Sequence, residues 1–98
     1  ALMVKDSLME LIETSLPKPF EKEILRLVGS VDGVHNPHDL KTRRVGNDIA
    51  IDLHIQVDRN LNVERAHEIT VEIEKCLFDT YGQETHISIH TEPLIPEK

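Results

Sequence analysis

An α+β sandwich of order α-β-β-α-β, with a three-stranded mixed sheet and both helices on one sheet face, is the fold that three features of the sequence predict. Residues 47–57 alternate Ile49, Ile51, Leu53, Ile55 and Val57 with Asp48, Ala50, Asp52, His54 and Gln56, a period of two that only a strand satisfies. Two other stretches carry apolar residues at helical spacing, Phe20, Ile24, Leu27, Val28 and then Val63, Ala66, Ile69, Ile73, Cys76, Leu77. Finally, Gly46 and Asn47 join two strands too closely for anything but an antiparallel hairpin.

In chain order, Leu2, Met3, Leu8, Leu11 and Ile12 recur at loosely helical spacing until Ser15, Leu16 and Pro17 break the pattern, so a short lead-in helix is expected. Pro19 suits the first turn of the next helix, and Gly29 or Ser30 ends it. Val31, Asp32, Gly33 and Val34 form a turn. The segment His35, Asn36, Pro37, His38 leads into a charged strand expected over residues 39–45. After residue 57, Asp58, Arg59 and Asn60 precede the long helix, which Tyr81 and Gly82 close. Residues 85–91 alternate again, with Ile87 and Ile89 on one face and His86, Ser88 and His90, then Glu92, on the other; Pro93 and Pro96 are expected to stop this strand.

A strand, crossover helix, strand unit is right-handed and parallel in nearly all cases, so the last strand should lie parallel to the central one, with the hairpin strand on the other side. Both helices then cover the aliphatic face. His54 and His90 are left together on the uncovered face, and His38, His67 and Glu92 reach the same region if it lies at one end of the sheet. Imidazoles and a carboxylate gathered this way suit zinc, which favours four tetrahedral N, O or S ligands; cadmium, cobalt, iron, manganese and nickel are the other divalent candidates. The bland alternatives are solvated surface histidines and, for Cys76 within the apolar arc, a small buried hydrophobe.

Composition narrows the function classes. Ninety-eight residues make one domain with a modest core, for which a partner subunit adds useful burial. Eleven basic against eighteen acidic residues give a net charge of −7, which disfavours nucleic acid and anionic membranes and favours cations. A single cysteine excludes an intrachain disulfide framework and fits a reducing compartment. No signal peptide is visible, and no apolar run approaches the roughly 20 residues a membrane span needs. The chain opens on Ala1 rather than Met, so a piece of a longer protein, or a processed one, is expected. Neither a nucleophile with its base, nor a phosphate-cradling glycine loop, nor a cofactor fingerprint occurs, so we expect no enzyme and no small organic substrate.

The run Val31, Asp32, Gly33, Val34, then His38, Asp39, Leu40, Lys41, Thr42, Arg43, the segment IDLHI at 51–55, Ala66 and His67, and ISIHTEP at 87–93 together resemble the C-terminal cytoplasmic domain of cation diffusion facilitator transporters over nearly the whole chain. The resemblance implies a metallochaperone-like, ferredoxin-like fold that forms a homodimer beneath a six-helix membrane domain. On it, residues 1–16 become a lead-in segment from that membrane domain and residues 17–98 a metal-binding and dimerising domain. It implies a regulatory part of a proton-coupled efflux transporter for divalent cations, zinc first, at the cytoplasmic face of the cell membrane. A free-standing metal chaperone or sensor of the same fold is the alternative. The family's metal ligands fall on His38, His54, His67 and His90, with Glu92 where relatives often carry Asp. The segment His35, Asn36, Pro37 looks like an insertion and supplies a second histidine, so His35 and His38 both stand as candidates. His86 lies four residues, roughly 13 Å, before His90 along the strand and is peripheral.

Overall fold

The computed structural model describes residues 16–95; the expected lead-in helix and Pro96 lie outside them. Helix α1 (Lys18–Gly29) begins after Pro17, with Pro19 in its first turn, where a missing N–H costs nothing, and the Ser30 amide closes it on the Arg26 and Leu27 carbonyls. Strands β1 (His35–Val45) and β2 (Asp48–Asp58) form the hairpin, helix α2 (Val63–Tyr81) crosses over, and strand β3 (His86–Leu94) completes the sheet. Gly46, at φ 64°, opens the two-residue turn between Val45 and Asp48, the position where a II′ turn takes glycine. Asn62 caps α2 by accepting the Arg65 amide at 2.7 Å.

The strand order is β1-β2-β3, with β1 antiparallel and β3 parallel to the central β2. The core is one layer between helices and sheet: Ile24 and Val28 of α1, Ile51, Leu53, Ile55 and Val57 of β2, and Ile69, Ile73 and Leu77 of α2. Each such side chain contributes roughly 1.5–3 kcal/mol by leaving water. Val63 departs from the expected arc, lying 85% exposed where α2 opens. The turn before β1 packs tightly on the same layer: Gly33 sits at φ 95°, and a Cβ there would meet Ile69 Cδ1 at 2.7 Å.

Two strand boundaries differ from expectation. Strand β1 starts at His35 rather than residue 39, because two register irregularities, between His35 and His38 and between His38 and Lys41, break its alternation. Asn36 (φ 48°) and Asp39 (φ 53°) take the left-handed conformation there, which these two residue types tolerate best after glycine. Strand β3 runs through Pro93 to Leu94. Its place at the sheet edge leaves the missing Pro93 N–H without a ladder partner to lose.

Candidate metal centre

Strand register builds a row of imidazoles across the open face of the sheet. His54 of β2 lies opposite His38 of β1 in the antiparallel pair and beside His90 of β3 in the parallel pair. The aliphatic neighbours Leu53 and Ile55 are fully buried on the helical side, so alternation turns the histidine row to the other side. Ring centroids are 5.5 Å apart for His38 and His54 and 4.6 Å for the stacked His54 and His90.

Glu92 ties the row at one end. Its Oε2 lies 2.8 Å from His54 Nδ1 and its Oε1 lies 3.4 Å from His38 Nε2. His38 Nδ1 is 2.7 Å from the Asn36 carbonyl, which can only accept, so Nδ1 carries the proton and the neutral ring presents its Nε2 lone pair toward Glu92. The bulges thus have a chemical result: they point a metal-competent nitrogen at a carboxylate. The His54 hydrogen bond, together with the positive charge that His38 and His54 carry when protonated, holds the Glu92 carboxyl below the usual carboxylate range despite partial desolvation.

The donor set fits a borderline divalent cation. Ligand atoms of His38, His54 and Glu92 lie within 4.8 Å of one another, and so do those of Asp52, His54 and His90. Donors about 2.1 Å from a tetrahedral ion stand roughly 3.4 Å apart, the spacing of His38 Nε2 and Glu92 Oε1. A lone pair facing a carboxylate is repulsive until a proton or a cation lies between them.

Of the residues singled out from sequence, His38, His54, His90 and Glu92 therefore converge on one face. His35 is exposed at the start of β1, opposite Gln56, and joins neither group. His67 is exposed on α2, in the helical layer, and joins neither group within the chain. His86 lies beside Ala50, lining a separate groove. Asp52, with its Oδ1 3.2 Å from His90 Nε2, is the member that sequence reading passed over. Alternation had placed it on the face of His54; only the parallel register shows that it reaches His90.

Comparison with known proteins points one way. Residues 16–94 match the profile of a family described as "Cation efflux protein, cytoplasmic domain". The cation-efflux pump FieF of Citrobacter koseri is 28% identical over 88 residues, covering 90% of this chain but 29% of that protein. A crystal structure of the cytosolic domain of a cation diffusion facilitator family protein is 35% identical with a TM-score of 0.70, covering 78% of this chain and 90% of that one. The metal-bound C-terminal domain of the CzcD transporter from Thermotoga maritima is 34% identical with a TM-score of 0.68, covering 80% and 91%. Among the described residues, no helix is long and apolar enough to cross a membrane.

Proposed function

The chain belongs to the family of cation efflux protein cytoplasmic domains, and from that premise we propose that it binds a divalent cation, zinc first, on its open sheet face to regulate metal efflux by the longer protein. The carrying observation is the convergence of His38, His54 and Glu92, two imidazoles and a carboxylate from three strands, with ligand atoms within 4.8 Å of one another. A bound cation supplies positive charge that draws the three strands' donors together. His90 stacks on His54 and extends the donor row, while His38 rather than His35 is the ligand from β1. The metal-bound state of the CzcD domain supports the reading.

The chain spans less than a third of the curated relatives it matches, so transport, its coupling to protons and attachment to a membrane domain belong to the proposal. So does the homodimer. His67 lies in the helical layer, so a ligand role for it requires a second chain. Two chains of net charge −7 repel, and cations held between them offset that repulsion and favour a closed pair.

Zinc that binds only the native state raises the melting temperature, adding about 2.7 kcal/mol of stability at a hundredfold excess over Kd. We expect that shift in the wild-type chain and its loss in His54→Ala, with circular dichroism as folding control. A wild-type melt that zinc leaves unmoved contradicts the proposal.

A further inference from the structure

We propose that the open face carries, at the end away from the histidine row, an anion site: a groove that takes a phosphate group borne by a small molecule. It is built from cations and donors that metal binding does not use.

Register assembles the groove. Thr42 pairs with Ile51, and both are buried on the helical side, so Lys41 and Arg43 stand on the open face, opposite Asp52 and Ala50. On the other flank His86 lies beside Ala50 and Ser88 beside Asp52. Arg43, Ala50 and His86 therefore form one row across the sheet, and Lys41, Asp52 and Ser88 form the next row toward the histidines. Two strand spacings, roughly 9–10 Å, separate the backbones of Arg43 and His86, and between these long side chains stands only the methyl group of Ala50. The result is a groove of about 450 Å³, within the roughly 300–1,000 Å³ range of small-ligand sites.

Its chemistry is that of uncommitted donors. Arg26 and Arg65 are engaged by carboxylates, three of them around Arg65. Among the described residues, no ion pair or side-chain hydrogen bond engages Lys41, Arg43 or His86, on a chain where acidic residues outnumber basic ones. Arg43 offers five N–H donors in a planar fork, Lys41 three, a neutral His86 ring one, and Ser88 a hydroxyl. The one carboxylate in the lining, that of Asp52, turns its Oδ1 to His90 Nε2 at 3.2 Å. A fork and an ammonium on one flank, with a ring N–H and a hydroxyl on the other, suit the three terminal oxygens of a phosphate group, where a carboxylate has two. The net charge of −7 works against an extended anionic surface such as a membrane, so a compact anion is the occupant.

Titration of the metal-free 98-residue chain with inorganic phosphate, followed by amide chemical shifts in NMR spectra at constant ionic strength, tests this. We expect saturable shifts at Lys41, Arg43, Ala50 and His86. Arg43→Gln should weaken binding at least about tenfold through the loss of charge-assisted hydrogen bonds. Ala50→Leu fills the floor without removing a charge and should do the same. Arg26→Gln removes an equal charge from an exposed position on α1 and should leave affinity unchanged, with circular dichroism as the folding control for each variant. Shifts that chloride reproduces overturn the site, as does an Arg26→Gln loss equal to that of Arg43→Gln, or unchanged affinity in Ala50→Leu. Glycerol phosphate and phosphatidylglycerol vesicles distinguish the source of the group. Binding of glycerol phosphate with the same ranking of variants supports the small-molecule site, and a chain that binds the vesicles but neither soluble phosphate overturns it.

Discussion

Glu92 holds two histidines at once, through Oε2 to His54 and Oε1 toward His38, and the acid response of the site follows from it. A carboxyl with a lowered folded-state pKa contributes stability that is present above the ordinary carboxylate pKa and is lost as pH falls through the depressed value. Glu92 therefore stays ionised while imidazoles take up protons. Zinc affinity should fall steeply between about pH 7.5 and 5.5 because protons displace metal from the imidazoles, and Glu92→Gln should weaken binding across that range. Calorimetric titrations across this range check both; affinity independent of pH rules out histidine ligation. Much of this site was legible residue by residue. Alternation put His54 and His90 on one face, since each lies in an unbroken period-two run. The choice between His35 and His38 was not legible, because Asn36 and Asp39 reverse the backbone twice around His38 and erase the alternation that would have assigned its face. Nor was the partnership of Asp52, which depends on the parallel register that sets Asp52 opposite Ser88 and so diagonal to His90.

At the scale of elements, the hairpin and the crossover followed from turn residues and periodicity. Their mutual fastening did not, since it runs through side chains distant in sequence. The buried Thr42 hydroxyl of β1 accepts the Leu16 amide at 2.9 Å and donates to Glu21 of α1 at 2.8 Å. One hydroxyl thereby ties the segment before α1, α1 itself and the hairpin that carries His38 and His54. Thr42→Val keeps the shape but leaves a buried N–H unpaired, a loss of about 1–3 kcal/mol; urea unfolding measures it, and Thr42→Ser should recover most of it. Gly33 is the second fastening. Gly33→Ala forces a side chain into a left-handed backbone against Ile69, so stability should drop by about 1 kcal/mol or more in the same assay.

Across the whole molecule, one sheet face makes the core and the other is left to charge. The aliphatic alternants of β2 bury against both helices, and the remaining face gathers imidazoles and carboxylates on a chain of net charge −7. That division was the most legible property of the sequence, because a period-two strand declares both faces at once. It also frames the regulatory reading: a face that concentrates donors and negative charge responds to cations by altering what approaches it. If cations hold two chains together, sedimentation of the 98-residue chain should shift toward the dimer as zinc is added and return on chelation. The central claim is that this face is a metal centre, and anomalous diffraction at the zinc edge from a zinc-soaked crystal tests it most directly. The account predicts a peak bonded to His38, His54 and Glu92, and contradicting it would take a well-occupied zinc bound elsewhere with these three side chains left uncoordinated.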